Sequence, residues 1–280
     1  MGLLNKILPK QLKPISRDIG FTLNTIFYKL KNIGKESNHS PIFIFGNQKS
    51  GTSAIAALLG ELTVIPTAID LFYSGFNFQL FTKWKKKEIT TKEFVNKNKK
   101  EFAKTIIKEP HLSVFYKELK EEFPNAKFVM IVRNPVDNIR SILDRLNIDG
   151  TKSQLDKKDK KKIFHSWNLL FNNQWIGGNK TQYIETLAER WNIIMDSYFE
   201  NKEDIILVRY EDFLKDKIGI LNKLSKELGL KNTADISTLL DKAFQPKGKN
   251  SNQNPIEFFG EENLNTIAHL CKTNMVKLGY

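Results

Sequence analysis

Four short apolar runs punctuate the chain, and amphipathic stretches lie between them. Residues 41–45 (PIFIF), 104–108 (KTIIK), 127–132 (KFVMIV) and 204–208 (DIILV) are almost continuously hydrophobic. Such runs suit strands buried on both faces of a parallel sheet. The stretch AIAALLGEL follows the first run and reads as a helix. After the third run, Val136, Ile139, Ile142, Leu143 and Leu146 share one helical face, with Asn134 placed to cap it and Pro135 in its first turn. Ile184, Leu187, Ala188, Trp191, Ile194, Met195 and Tyr198 form a second such face. Strands alternating with helices predict an α/β protein, a three-layer α/β/α arrangement with a central parallel sheet. No apolar run reaches the roughly 18 residues of a membrane span, and no internal repeat is visible.

The remaining segments break this pattern. Residues 1–40 form an N-terminal segment, basic and amphipathic up to a polar linker at 35–40 (KESNHS). Lys6 and Lys10 interrupt its apolar stretch and no small-residue cleavage site follows, so it reads poorly as a signal peptide. Lys6 also stands where a myristoylation signal needs Ser or Thr. A helix packed on the domain and a membrane-surface helix both fit. Residues 41–280 then form one α/β domain, with insertions at 83–102 (KWKKKEITTKEFVNKNKKEF) and within 149–180, which opens with DGTKSQLDKKDKKKIF. The first is basic and helix-capable. The second is a charge run after an Asp-Gly turn, either a solvated surface or a mobile cover over a site.

Composition narrows the class. The chain has 280 residues, 40% hydrophobic and 27% charged, a globular profile that excludes fibrous and wholly disordered classes. One cysteine, Cys271, excludes a disulfide framework and a multi-cysteine metal site and fits a reducing compartment. The net charge is +13, carried by 38 Lys against 6 Arg. Lys, Asn and Ile abundance fits an AT-rich genome, so part of this charge is compositional. A basic surface still favours anionic partners: nucleic acid, acidic membrane, or phosphate- and sulfate-bearing small molecules.

The first strand leads into GNQKSGTS, residues 46–53. Gly46 and Gly51 allow a tight backbone turn and close approach to a ligand. The loop N–H groups and the following helix N-terminus converge on one spot and favour an anion. The glycine spacing matches the nucleoside-triphosphate P-loop GxxxxGK[ST], but Thr52 stands where its lysine belongs, and Lys49 lies earlier in the loop. No acid follows the 127–132 strand; Arg133 does. Arg133 therefore stands at the carboxyl end of a buried strand, the edge where ligands bind in parallel sheets. It is either a bidentate phosphate donor or an ion-pair partner of Asp137. Asn138, Ser141 and Arg145 share a polar face of the helix beyond it.

With QKSGTS, RNPVDNIRS (an arginine-to-serine spacing of eight), VRYEDFLKD at 208–216 and the helix LAERWNIIM in this order, residues 41–230 resemble the sulfotransferases that use 3′-phosphoadenosine 5′-phosphosulfate, PAPS. The match is closer to the bacterial, carbohydrate and tyrosylprotein branches. The cytosolic small-phenol branch carries a Trp after the loop, where Ser53-Ala54 stands here. The resemblance implies a P-loop-like fold. It implies that Asn47, Gln48, Lys49, Ser50, Gly51, Thr52 and Ser53 hold the 5′-phosphosulfate, and that Arg133 and Ser141 hold the 3′-phosphate. Tyr210 would contact the adenine region, unless it is a packed core tyrosine. Lys247, Gly248 and Lys249 (in FQPKGKN) resemble a late basic loop that adds 3′-phosphate contacts.

The implied reaction is in-line transfer of a sulfuryl group from PAPS to an acceptor hydroxyl or amine on a glycan, lipid or small molecule, with no metal required. Lys49 would stabilise the leaving oxygen, and Lys108 would stand near the sulfuryl group. A general base is needed. Asp70 falls where the carbohydrate and tyrosylprotein branches carry a Glu. His111 falls near the histidine of the cytosolic branch, one residue further from its lysine. His165 and His269 show no ligand spacing. Two readings of other classes stand beside this one: a P-loop kinase using ATP, and a basic nucleic-acid or membrane-surface binder. The displaced lysine and the absent strand-end acid oppose the first. Against the second, no aromatics interleave with the lysine runs. The expected location is the cytoplasm of a bacterium, with peripheral membrane contact as the second possibility.

Overall fold

The computed structural model describes residue 30 and residues 32–280, apart from 74, 164, 243, 245–249 and 251–252; the N-terminal segment before residue 30 lies outside the described residues. Five strands form one parallel sheet: β1 (Ile42–Gly46), β2 (Thr67–Ile69), β3 (Ile106–Lys108), β4 (Lys127–Val132) and β5 (Ile205–Arg209), in the order β2-β3-β1-β4-β5. Every pairing is parallel, with Phe43 opposite Ile107 and Phe128, and Met130 opposite Leu207. The four apolar runs are four of these strands, shifted by one or two residues at three of them. β2 was not expected, because it is three residues long and none of them is fully buried.

Helices cover both faces. In chain order among the described residues they are α1 (Thr52–Thr63), α2 (Gly75–Lys85), α3 (Thr91–Lys97), α4 (Lys99–Phe102), α5 (Tyr116–Glu122), α6 (Pro135–Leu146), α7 (Lys157–Lys162), α8 (Tyr183–Glu200), α9 (Tyr210–Lys215), α10 (Lys217–Glu227) and α11 (Pro255–Lys277), the last broken at Gly260. The alternation along each strand sorts side chains into two cores. Phe43, Phe45, Ile107, Phe128 and Met130 pack toward α6 and α8, while Ile42, Ile44, Ile106, Val129 and Ile131 pack toward α1 and α10. Burial of such side chains on both faces is the main stabilising term, about 1.5–3 kcal/mol per large apolar residue.

The two polar stretches are anchored. In 83–102, Trp84, Phe94, Val95 and Phe102 are buried, and the Trp84 and Phe94 rings stack at 4.5 Å. In the second stretch Asp156 caps α7, while buried Asp159 pairs with Lys152 and with Lys162 at 2.8 Å. The four other lysines of α7 are exposed. Among the described residues no helix is long and apolar enough to cross a membrane.

Candidate functional site

Because all five strands run the same way, their carboxyl ends share one edge, and each end delivers a residue of interest there. The loop 47–51 follows β1, Asp70 follows β2, Lys108 ends β3, Arg133 follows β4 and Tyr210 follows β5. This is the edge at which parallel α/β sheets bind ligands.

The loop is held from several sides. The Gly46 N–H donates to Ser113 Oγ at 2.9 Å. A Cβ on Gly46 would lie 2.6 Å from the Ile131 carbonyl oxygen, so only glycine fits. Asn47 Nδ2 donates to Asn138 Oδ1 at 2.8 Å. Asn138 Nδ2 donates in turn to the Gln48 carbonyl at 2.8 Å and to Ser50 Oγ at 3.0 Å. Asn138 is fully buried, so α6 is clamped to the loop by a satisfied polar network. Gly51 precedes α1 with φ 90°, and a Cβ there would sit 2.2 Å from the Tyr210 ring. Tyr210 is thus the wall of the loop as well as a packed strand-end tyrosine. Lys49 is itself left-handed at φ 67° and Asp70 at φ 60°, a backbone cost of the kind that gathers at functional sites.

Arg133 and Asp137 are not an ion pair. Asp137 pairs with Arg140 one turn further along α6. Arg133 Nη1 donates to the Lys49 carbonyl at 3.0 Å, and its guanidinium lies 4.9 Å from the Tyr210 ring centroid. Its own carbonyl accepts from Trp191 Nε1 at 3.0 Å, and the next N–H, at Asn134, donates to Glu211 at 2.8 Å. Ser141 is half-buried on α6, and Thr52, Ser53, Ser50, Asn47 and Gln48 are buried in or beside the loop.

The electrostatics centre on Lys49. Burial pushes its ammonium down to about 8, helped by Arg145, Arg133 and Lys108 and opposed by Asp144. Four cations are therefore gathered around one loop. Such a concentration favours a polyanionic ligand.

Lys108 is buried and pairs with Asp70, whose carboxylate is 48% exposed. His111 is buried and differently held. Its Nδ1 lies 2.8 Å from Glu109 Oε1, its Nε2 lies 3.2 Å from the Ser166 carbonyl, and Gln48 Nε2 lies 3.2 Å from the ring nitrogens. Burial pushes the Glu109 carboxyl up, but the His111 hydrogen bond and charge, then Lys108, outweigh it, and the carboxyl sits below the usual range. The structure thus brings Lys49, Arg133, Tyr210, Lys108 and Asp70 to one edge and sets His111 in a buried cluster beneath it. Lys247, Gly248 and Lys249 lie outside the described residues. Ser113, Glu109 and Glu211 were missed by sequence reasoning. Ser113 and Glu211 meet partners 67 and 77 residues away, so no local pattern marks them, whereas the Glu109–His111 pair is only two residues apart and lay within reach of a local reading.

A glycine-bounded loop at the carboxyl edge of a parallel sheet, ringed by cations, defines a P-loop-like α/β protein whose edge suits an anionic ligand. Residues 39–274 match the family model described as sulfotransferase domain. The chain belongs to that family and is a sulfotransferase. It is similar to a sulfotransferase from Alicyclobacillus acidocaldarius, at 17% identity over 83% of this chain and 96% of that one, with a TM-score of 0.43. It is also similar to the mouse sulfotransferase SULT7A1 complexed with PAP, at 15% identity over 88% of each chain and a TM-score of 0.48. Sulfotransferase STF9 from Mycobacterium avium is 12% identical over 86% of this chain and 77% of that one, with a TM-score of 0.48. No curated protein matches the sequence.

Proposed function

We propose that the chain transfers a sulfuryl group from PAPS to the hydroxyl or amine of a glycan, lipid or small-molecule acceptor. The observation that carries this reading is the clustering of Lys49, Arg133, Arg145 and Lys108 around a backbone loop shaped for phosphate. The residues present fit PAPS: loop N–H groups and hydroxyls of Ser50, Thr52 and Ser53 for the 5′-phosphosulfate, Arg133 and Ser141 for the 3′-phosphate, and Tyr210 beside them for the base. Lys247, Gly248 and Lys249 would complete the 3′-phosphate contacts.

PAPS supplies the sulfuryl group: the bond from sulfur to the acceptor oxygen or nitrogen forms as the sulfur–oxygen bond to the 5′-phosphate breaks. Lys49 meets the negative charge that grows on the departing phosphate oxygen, and Lys108 balances charge on the transferring group. Asp70 takes the acceptor proton at its free carboxylate oxygen. A base must reach the acceptor, and the Asp70 carboxylate is accessible at the edge, whereas both nitrogens of buried His111 are engaged.

The test pairs Asp70→Asn with His111→Gln. Acceptor mixtures are supplied with PAPS, and release of adenosine 3′,5′-bisphosphate is followed. Asp70→Asn is expected to lower kcat by about 10²–10⁴ with nucleotide affinity retained. A loss confined to His111→Gln would move the base to the histidine.

A further inference from the structure

One buried polar cluster adjoins the donor loop and shares only Gln48 with it. Glu109, His111, Gln48 and Arg190 are each at most 7% exposed, and Arg190 of α8 is fully buried. The Glu109 carboxylate is already committed. Oε1 accepts from the His111 N–H at 3.1 Å as well as from its ring, and Oε2 accepts from the Phe72 N–H at 3.4 Å. Arg190 is not satisfied. Among the described residues, none of its three guanidinium nitrogens has a hydrogen-bond partner, and Gln48 Oε1 has none either.

The guanidinium carbon lies 5.4 Å from the Trp175 ring centroid. That ring is 6.4 Å from His111, and Phe72 and Phe81 stand 5.8 and 5.9 Å from the same imidazole. Aromatic rings thus flank a buried cluster that holds two unmatched polar groups, one a donor and one an acceptor. Gln48 stands next to Lys49 in the loop, and Glu109 stands next to Lys108 at the end of β3.

A guanidinium removed from water without an acceptor is strongly unfavourable, and the Glu109 charge offsets only part of this. Unsatisfied buried groups of this kind are expected where a ligand completes them. The planar fork of arginine matches a carboxylate, phosphate or sulfate two bonds at a time.

We propose that Arg190 anchors the acceptor by pairing with an oxyanion the acceptor carries, while Gln48 Oε1 accepts a hydrogen bond from an acceptor hydroxyl. The Trp175 ring and the Ser166 carbonyl are the groups the entering acceptor displaces. Specificity for an anionic acceptor thus resides in α8. This rests on the sulfuryl-transfer reading above.

The test uses Arg190→Met, which keeps the bulk and removes the charge. If Arg190 awaits a ligand, the variant melts no lower than the wild type and binds adenosine 3′,5′-bisphosphate equally well. If Arg190 is only the counter-charge of Glu109, the variant melts well below wild type or fails to fold, which overturns the proposal. Matched acceptors supply the second readout: 4-hydroxyphenylacetate against its amide, and glucose 6-phosphate against glucose, each with PAPS. In at least one pair the wild type is expected to favour the charged member by about tenfold or more in kcat/KM, about 1.4 kcal/mol, and Arg190→Met to erase that ratio. No preference in either pair, or one that survives in the variant, overturns the proposal. Failure of the wild type to bind the bisphosphate at all would instead remove the underlying sulfotransferase mechanism.

Discussion

Lys49→Met separates catalysis from stability by moving them in opposite directions. Burial and three neighbouring cations lower the Lys49 pKa from 10.5 to about 8. A drop of that size means the charged form carries roughly 3 kcal/mol of unfavourable free energy. Solvent reaching a partly exposed ammonium reduces this to about 1–3 kcal/mol. The folded pKa lies below the unfolded one, so the unfolded chain holds more protons between about 8 and 10.5. Stability therefore carries the full penalty below about pH 8 and rises as pH climbs through that window. Methionine keeps the aliphatic stem and removes the charge. The variant is expected to gain about 1–3 kcal/mol at pH 7 and to lose the rise above pH 8. PAPS-dependent turnover is expected to fall by about 10²–10³ or more, the scale of a lost transition-state donor. Denaturant unfolding at several pH values and steady-state release of the bisphosphate measure the two effects. The reasoning fails if the variant is less stable at pH 7 and turns over within about threefold of wild type.

The same lysine predicts proton uptake: at pH 8.5, binding of the anionic nucleotide restores the Lys49 charge, so calorimetric heats in buffers of different ionisation enthalpy should show protons taken up, and Lys49→Arg should show none. Asn138→Ala strips the clamp from Asn47, Gln48 and Ser50 and is expected to cost about 1–3 kcal/mol of stability, with weaker nucleotide binding, read by denaturant unfolding and calorimetry. Gly51→Ala combines a φ of 90° with a Cβ 2.2 Å from the Tyr210 ring, so nucleotide binding should be lost or greatly weakened, a change visible by thermal shift. Arg133→Ala should weaken nucleotide binding by about 1.5–3 kcal/mol, as expected for losing a charged hydrogen-bond partner.

Much of this was legible in the sequence because it is local. A buried parallel strand announces itself as an apolar run, and the Gly46–Gly51 spacing and the Asn134-Pro135 start of α6 are read within a few residues. β2 was invisible because three half-exposed residues carry no periodicity. The 83–102 stretch reads as a basic, helix-capable insertion, yet Phe94 and Phe102 face inward; its lysines hide a short apolar stripe. The supports of the site were also invisible. Ser113 on Gly46, Glu211 on Asn134 and Arg190 against Trp175 depend on which helix lies over which strand, and that is decided by packing rather than by neighbouring residues. For the same reason Arg133 was open to an ion pair with Asp137. The helix instead gives Asp137 to Arg140 and leaves Arg133 free to reach the loop.

The donor site is the centre of this account, and calorimetric titration with adenosine 3′,5′-bisphosphate, with ATP and magnesium as the control, tests it without knowledge of the acceptor. The account predicts micromolar binding of the bisphosphate, none of ATP, and loss of the bisphosphate heat in Arg133→Ala. Preference for ATP, or bisphosphate binding that survives the loss of Arg133 unchanged, would contradict it.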